Sequence, residues 1–285
     1  MSSGRAAMTS LRGGFAAGIL AAGLAGAACG APASRPAEGK VADAVRASLV
    51  GGTATFDHAD WSALLAAGSR EGLVDYAAFR VRRAALDAYL GRVATADLAR
   101  LAPAHLEALL INAYNALTIR TILDHPGVAS IRDIDGAWSR TTHTVGGYPL
   151  TLDAIEHNLL RPFWRDPRVH FALNCASRSC APLPRWAYEG DTLAAQLEER
   201  TRAFLTDPRQ VRVEGGKLAL SRYFEWYGTD FTADGWSPRA ETAALFVALY
   251  TEGTVAEFIH AAHGDPPVIF LDYDWALNEA GQPQP

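Results

Sequence analysis

Apolar residues recur at helical spacing along most of the chain from residue 53 onward, and a few short stretches alternate as strands do. The longest helical segment is "PAHLEALLINAYNALTIRTILDHPG", which opens on Pro103 and closes on Pro126 and Gly127. Further helices are predicted over "DHADWSALLAAG", "VDYAAFRVRRAALDAYLGRV", "DTLAAQLEERTRAFLTDP", "SPRAETAALFVALYTEG" and "TVAEFIHAAHG". Two stretches, "THTVGGYPLT" and "QVRVEGGKLALS", carry a Gly-Gly pair between polar–apolar arms and predict β-hairpins.

The centre of the chain mixes short helices with short strands. "LDAIEHNLLRPF" predicts a short helix that ends near Pro162, whereas "RVHFAL" and "PVIFLDYDW" are compact β-prone runs that predict strands. Helices and strands alternate irregularly, no repeat is present, and no long linker divides residues 53–280. The pattern therefore predicts a single α+β domain, with helices around a small, mostly antiparallel sheet.

Residues 1–28 have the pattern of a secretory signal peptide. Arg5 and Arg12 precede the apolar run "FAAGILAAGLAGAAC", which is shorter than the roughly 20 residues that a spanning helix needs. The run ends on small residues and on Cys29, the type of residue that bacterial lipoproteins acylate. We therefore expect export to the periplasm or cell envelope, with a soluble and a lipid-anchored mature form both open. Residues 29–52 are rich in Ala, Pro and Gly and are interpreted as a flexible tether.

The charge balance argues against nucleic acid as a partner. The chain has 26 Lys and Arg against 31 Asp and Glu, a net charge of −5, whereas phosphate backbones are bound by basic patches. A content of 49% hydrophobic and 20% charged residues is ordinary for a globular protein. We expect no cofactor, a small-molecule or peptide substrate, and contact with a membrane only through a lipid on Cys29.

The stretch "HFALNCASRSCAPL" contains two of the three cysteines, Cys175 and Cys180. One hypothesis makes Cys175 a catalytic thiol at a helix N-terminus, where orphan N–H groups and Arg178 would lower its pKa. A second joins the two cysteines in a disulfide, as an oxidising compartment allows. A metal site is the third, although C-x4-C lacks the usual spacing. On a strict strand, His170 would face away from Cys175.

Polar residues on two other helices are further candidates. Asn112 and Asn115 share one face of the longest helix, where they either satisfy loop backbone or orient a catalytic group. Glu156 and His157 lie at the start of the short central helix, which suits either a solvated helix start or a general base with an orienting partner. The aromatic-rich stretch "LSRYFEWYGTDF" predicts either core packing or the wall of a cleft.

These stretches, in this order, resemble the domain-of-unknown-function 547 family. The family's "W-I-N-x-Y-N-A-x-T-I", "L-D-x-I-E-H-x-I-L-R", "H-F-A-L-N-C-A-S-x-S-C-P-x-L" and "L-S-x-I-F-x-W-Y" correspond here to "LINAYNALTIR", "LTLDAIEHNLLRPF", "HFALNCASRSCAPL" and "LALSRYFEWYGTDF". The resemblance spans roughly Leu106 to Phe231, with Leu110 in place of the family's Trp and Ala181 in place of its Pro. It implies a family whose bacterial members are often exported and whose four motifs share a site. It implies no particular reaction, because the family's activity is not settled.

Two functional hypotheses follow. The first is a thiol-dependent hydrolase or acyl transferase with Cys175 as nucleophile and His157 as base. Glu156 with Asn112 or Asn115 would orient that base, and backbone N–H groups after Cys175 would bind the oxyanion. His143 and His170 are the alternative bases. The second hypothesis is a non-catalytic binding module in which Cys175 and Cys180 form a structural or redox-active disulfide.

Overall fold

The computed structural model describes Met1 and residues 36–281. The remainder of the predicted signal segment and Cys29 lie outside the described residues. Helices in the described part of the chain are α1 (Lys40–Gly51), α2 (Ala59–Gly68), α3 (Tyr76–Val81), α4 (Arg83–Ala94), α5 (Pro103–Asp124), α6 (Arg161–Trp164), α7 (Leu193–Leu205), α8 (Tyr223–Trp226), α9 (Gly228–Thr232), α10 (Ala243–Ala248) and α11 (Thr254–Ala261). The strands are β1 (Ser69–Arg70), β2 (Leu73–Val74), β3 (His143–Val145), β4 (Tyr148–Leu150), β5 (Val211–Glu214), β6 (Lys217–Leu220) and β7 (Val268–Phe270).

The α+β class predicted from the sequence is confirmed, with the strands divided among small sheets. The pairs β1–β2 and β3–β4 are antiparallel ribbons, and β5–β6 is an antiparallel pair that β7 joins in parallel alongside β6. Both predicted Gly-Gly hairpins are present. Their turn glycines all have positive φ, a backbone conformation that glycine adopts without steric cost.

Helix α5 is the centre of the larger of two hydrophobic clusters. Eighteen of its 22 residues are buried, as expected of a helix that is packed on all sides. Pro103 lies in its first turn, where the missing N–H costs nothing. Within the described residues, no helix is both long and apolar enough to cross a bilayer, and this applies to α5 as well.

The second cluster is built from aromatic side chains. Phe171, Phe204, Phe224, Phe231 and Phe246 pack against one another, with ring centroids as close as 4.7 Å. Helices α7, α8 and α9 contribute Phe204, Phe224 and Phe231. The segment that contains the two cysteines lies between this cluster and the one around α5, because it contributes buried residues to both. The candidate thiols are therefore fixed at the boundary of the two cores.

Two predictions about local structure are wrong. Residues 40–51 of the predicted tether form helix α1, because "KVADAVRASLVG" has good helix formers, no proline and a face that buries Val45. The run "RVHFAL" is not a strand: Pro167–Phe171 is a 3₁₀-helix, opened by Pro167 and capped by the Asp166 side chain. A β-branched and aromatic composition favours a strand only where a neighbouring strand is available, and this segment packs against α7 instead.

Candidate functional site

The two cysteines lie on an irregular stretch, residues 172–182, which we call the Cys loop. No helix or strand forms in it, so the helix N-terminus predicted to follow Cys175 is absent. Ala176, directly after Cys175, has a φ of 66°. An alanine rarely adopts this left-handed conformation, which costs about 1 kcal/mol or more. The surrounding contacts must therefore hold the backbone next to the thiol in place.

Buried asparagines supply many of those contacts. Asn115 on α5 donates to the carbonyl of Ala172 at 3.0 Å and accepts from the N–H of Asn174 at 2.8 Å. The side-chain oxygen of Asn174 accepts from the N–H of Ala176 at 3.1 Å and from Asn278 at 3.0 Å. Side-chain amides thus replace the backbone hydrogen bonds that a helix or sheet would have provided to this loop.

Asn112 clamps a different segment. Its side chain donates to the carbonyl of Tyr188 at 2.8 Å and accepts from the N–H of the same residue at 3.0 Å. Among the described residues, neither Asn112 nor Asn115 makes a hydrogen bond to a histidine. The structure therefore brings Asn115 to the Cys loop and leaves Asn112 with the loop before α7.

Both cysteines carry thiols and are not joined by a disulfide. The N–H of Cys175 donates to the sulfur of Cys180 at 2.7 Å, and the Cys175 sulfur lies 3.2 Å from the hydroxyls of Ser177 and Tyr273. Tyr223 donates to the sulfur of Cys180 at 3.2 Å. Burial, followed by the contact with Cys175, raises the pKa of the Cys180 thiol well above its ordinary value. Cys180 is therefore protonated at neutral pH and a weak nucleophile.

Cys175 lines a small cavity together with Glu156 and His170. The other lining residues are Tyr114, Leu173, Tyr223 and Tyr227. About 10 Å³ of this cavity is open to the centre of a water molecule, which is room for about one water. A thiol, an imidazole and a carboxylate therefore face one common space, walled largely by tyrosines.

His170 is held in place by a buried ion pair. Its Nε2 lies 2.9 Å from Asp230 Oδ2, and Arg161 binds both oxygens of the same carboxylate at 2.6 and 2.9 Å. The imidazole also stacks on Tyr227, with centroids 3.9 Å apart and planes 20° from parallel. Its Nδ1 has no hydrogen-bond partner and lies 3.8 Å from Glu156 Oε1. The imidazole is therefore fixed at Nε2, and its Nδ1 is left without a hydrogen-bond partner.

The charges around His170 determine its protonation state. Burial lowers the pKa of His170, and the hydrogen bond to Asp230 opposes this effect without reversing it. For Asp230, burial alone would raise the pKa, but the hydrogen bonds from His170 and Arg161 prevail and lower it. The pair at neutral pH is thus a neutral imidazole and a carboxylate. Since Asp230 can only accept, we assign the ring proton to Nε2, which leaves Nδ1 as an acceptor.

His157 lies beside this network and does not line the cavity. Its Nδ1 lies 3.1 Å from Nη1 of Arg161, which donates to it, and its Nε2 is 3.9 Å from Asp153 Oδ1. The cause is local: Ala154–Leu160 is a π-helix, in which the N–H of Arg161 reaches the carbonyl of Glu156. Such wide turns occur often at functional sites. The turn presents Glu156 to the cavity and His157 to Arg161.

The other two sites suggested by the sequence are not assembled here. His143 is on β3, outside the lining of the cavity, and burial lowers its pKa. In the described part of the chain, no group of three or more His, Cys, Asp and Glu residues is arranged to hold a metal ion. The third hypothesis for the cysteines, a metal site, therefore has no supporting geometry among those residues.

A segment near the C-terminus covers the Cys loop. The N–H groups of Ser179 and Arg178 donate to the carbonyls of Asp274 and Ala276 at 3.2 and 2.9 Å. Tyr273, which is half-buried, adds its hydroxyl to the Cys175 sulfur. Residues 273–280, which we call the cover segment, therefore lie directly over the thiol.

Residues 98–205 match the family model described as "Protein of unknown function, DUF547". This stretch of the chain is similar to the DUF547 family. It includes α5, the π-helix and the Cys loop, and so three of the four motifs that carry the resemblance. The aromatic motif with Asp230 lies beyond the matched residues, yet it contributes two tyrosines to the cavity. No curated protein and no solved structure gives a significant match.

The partner of His170 is the main functional residue that the sequence did not single out. In the sequence, Asp230 is one of two acids, with Glu225, in the aromatic stretch "LSRYFEWYGTDF". That stretch does form one wall of the cavity through Tyr223 and Tyr227, as well as packing in the second core. An acid within an aromatic stretch is the sequence signal that could have identified Asp230, because such an acid is expected to be buried and a buried carboxylate requires a partner.

Proposed function

We propose that the protein is a thiol-dependent hydrolase or acyl transferase that acts on amide or thioester bonds, with Cys175 as nucleophile and His170 as base. The observation that carries this proposal is that Cys175 and His170 line the same cavity while Asp230 fixes the far edge of the imidazole. A nucleophile, a base and an orienting acid form the usual arrangement for activating a weak nucleophile. His157, the base expected from the sequence, instead positions Arg161 in this proposal.

The reaction begins with transfer of the Cys175 proton to Nδ1 of His170. The thiolate attacks the carbonyl carbon of the substrate, and the carbonyl electron pair moves to its oxygen. When the tetrahedral intermediate collapses, the C–N or C–S bond breaks and the leaving group takes the proton from His170. Water or an acceptor, deprotonated by His170, then attacks the acyl–thioester and releases Cys175.

The surrounding charges favour the ion pair that this step creates. Asp230 and Glu156 lie 2.9 and 3.8 Å from the two nitrogens of His170, so a protonated imidazole would lie between two carboxylates. The backbone N–H groups of Ala176 and Arg178 are already bonded to Asn174 and Ala276, which leaves them unsuited to the oxyanion role predicted from the sequence.

A substrate requires more room than this cavity provides. With space for about one water, this volume cannot take an acyl group, so we infer that the cover segment moves when substrate binds. Tyr273 is the residue to displace, because its hydroxyl contacts the thiol and its side chain reaches the surface.

The experiment follows alkylation of Cys175 by iodoacetamide, resolved by peptide mass, from pH 5 to 9 in the native protein. We expect the His170→Gln variant to label Cys175 at least tenfold more slowly at pH 7 than the parent. The His157→Gln variant should slow labelling less, because His157 acts only through Arg161. The His143→Gln variant is the control, because it removes a half-buried imidazole outside the cavity. Cys180 should label only on unfolding. If His157→Gln slows labelling and His170→Gln does not, the assignment of the base is wrong.

A redox-active pair is the second candidate, favoured by the 2.7 Å contact between the Cys175 amide and the Cys180 sulfur. In that case neither cysteine labels in oxidised protein until a reductant is added, and Cys180 then resolves Cys175. A Cys180→Ser variant separates the two proposals. A hydrolase keeps the reactivity of Cys175 in this variant, whereas a redox pair loses its reversible oxidation.

We also propose that the protein is exported, with residues 1–28 as signal peptide and a lipid on Cys29 as the alternative anchor. The support is the basic start and apolar run of the sequence. Mass spectrometry of the mature N-terminus tests it. Loss of residues 1–27 or 1–28 supports export, a diacylated Cys29 supports the anchor, and an intact Met1 on most of the protein excludes both.

A further inference from the structure

A second and larger cleft lies against the Cys loop. About 200 Å³ of it is open to water-sized molecules. The Cys loop forms one wall, the β1–β2 turn and the cover segment form others, and Cys180 rather than Cys175 lines it. Gly72 at the turn fits against Pro182, where a Cβ would come within 2.3 Å of the proline ring. The cleft is therefore a built feature and not a gap between loose loops.

Three charges face this cleft without pairing with one another. The guanidinium of Arg178 has no hydrogen bond or ion pair to any described residue, although the residue is half-buried. The carboxylate of Glu71 likewise has no described partner, and that of Asp274 accepts only the N–H of Ala276 at 2.9 Å. Arg209 also lines the cleft, but Asp207 binds it with contacts of 2.7 to 3.0 Å, so its charge is balanced.

Uncompensated charges of both signs around one cleft indicate the charge pattern of a ligand. A purely anionic ligand would be repelled by Glu71 and Asp274, and a purely cationic ligand would be repelled by Arg178. A ligand with a cation at one end and an anion at the other satisfies both. Because Arg178 lies beyond ion-pair distance from both carboxylates, the two ligand charges must also be separated.

We propose that this cleft binds a short peptide through both of its free termini. Arg178 takes the terminal carboxylate, and Glu71 with Asp274 takes the terminal amine. Ser177, Ser179 and Gln210 also line the cleft, and their neutral polar groups suit the peptide's amide. A planar guanidinium matches a carboxylate in two parallel hydrogen bonds, which is why the residue at this end is an arginine.

Binding at this cleft does not depend on Cys175 being a nucleophile. Ser177 connects the two spaces, since its hydroxyl is 3.2 Å from the Cys175 sulfur and its residue lines the cleft. If the proposed enzymatic function holds, the peptide occupies the approach to the thiol and the substrate class is peptidic. If that function fails, the cleft remains a peptide-binding site.

The test is isothermal titration calorimetry of the whole mature protein with L-alanyl-L-alanine. The same titration is run with N-acetyl-L-alanyl-L-alanine, which lacks the positive charge, and with L-alanyl-L-alanine amide, which lacks the negative one. We expect each blocked peptide to bind about tenfold or more weakly than the parent peptide. The Arg178→Gln variant should weaken the parent peptide about tenfold and the amide peptide little, because the carboxylate that Arg178 binds is absent from the amide.

Arg80→Gln is the matched control, since Arg80 is an exposed arginine outside the cleft, and it should bind as the unaltered protein does. Cys175→Ser should also bind normally, which separates this proposal from the catalytic one. Equal affinity for the parent peptide and its amide, or no binding at millimolar concentration, overturns the proposal. The comparison of ligands retains its meaning even if the Arg178 variant folds poorly.

Discussion

Glu107 on α5 is expected to make the protein less stable as the pH rises. The side chain is 7% exposed, and its Oε1 has no hydrogen-bond partner. Burial, reinforced by Asp166 and opposed by Arg168, raises the pKa of Glu107 from 4.5 to about 8. The folded protein therefore holds a proton on Glu107 at neutral pH, whereas the unfolded chain does not.

The sign and size of the effect follow from that difference. Between pH 4.5 and 8 the folded state binds the extra proton, so the free energy of unfolding falls as pH rises through this range. Each tenfold difference in a dissociation constant corresponds to about 1.4 kcal/mol. The difference between 4.5 and about 8 therefore amounts to about 5 kcal/mol in full, of which roughly 3 kcal/mol is lost between pH 5 and 8.

The Glu107→Gln variant removes the titration and keeps the shape of the side chain. We expect its stability relative to the parent to improve by about 3 kcal/mol between pH 5 and 8, measured by urea denaturation followed by circular dichroism. The absolute offset at pH 5 is less informative, because the new amide must also be satisfied. Glu199→Gln, which alters an exposed helical glutamate on α7, is the control and should show no such change. Parallel pH profiles for Glu107→Gln and the parent would refute the reasoning.

Three further predictions concern acid stability, packing and the loop clamps. Burial, then the charge of Arg92, lowers the pKa of His58 to about 4, so the contribution of His58 to the free energy of unfolding should fall by up to about 3 kcal/mol from pH 6.5 to 4, against the opposite contribution of Glu107. In urea titrations over this range, His58→Gln should gain that amount of stability relative to the parent, whereas the exposed His260→Gln should gain none. Gly52→Ala should lower the free energy of unfolding by about 1–3 kcal/mol in the same assay, because a Cβ would lie 1.8 Å from the carbonyl oxygen of Leu101. Gly51→Ala is the control, because its Cβ would meet open space, and it should change stability by less than about 0.5 kcal/mol. Asn112→Ala and Asn115→Ala should each lower the free energy of unfolding by about 2–4 kcal/mol, because each leaves a backbone N–H and a carbonyl unpaired. Only Asn115→Ala should alter the rate of Cys175 alkylation. An equal effect of both variants on that rate would contradict a specific clamp on the Cys loop.

The helices and hairpins were predictable because their causes are local. The apolar periodicity, Pro103 and the Gly-Gly turns each act within a few residues of where they stand in the sequence. The 3₁₀-helix at Pro167–Phe171 was not predictable in this way. Its β-prone residues form no strand because the chain places α7 beside them and no strand edge.

The candidate site was predictable in its residue types and less so in its pairings. The sequence indicated Cys175, Glu156 and a histidine, and the structure places Cys175 and Glu156 at one cavity. Which histidine accompanies them depends on a π-turn that directs His157 to Arg161, and on Asp230, which lies 60 residues after His170. Neither the turn geometry nor that long-range contact has a signature in residue spacing.

Several costly features of this protein are concentrated around one thiol. Removing the charges of Arg161, Asp230 and Glu156 from water is expensive, and apolar residues of the same size often stabilise a core equally well or better. Ala176 adds backbone strain beside them. Stability alone does not account for charges and strain in the same few residues at the boundary of two cores. The lowered pKa of His170 favours its neutral form, whereas the lowered pKa of Asp230 favours its charged form. A neutral imidazole held by a carboxylate beside a cysteine is the arrangement that proton transfer from the thiol requires.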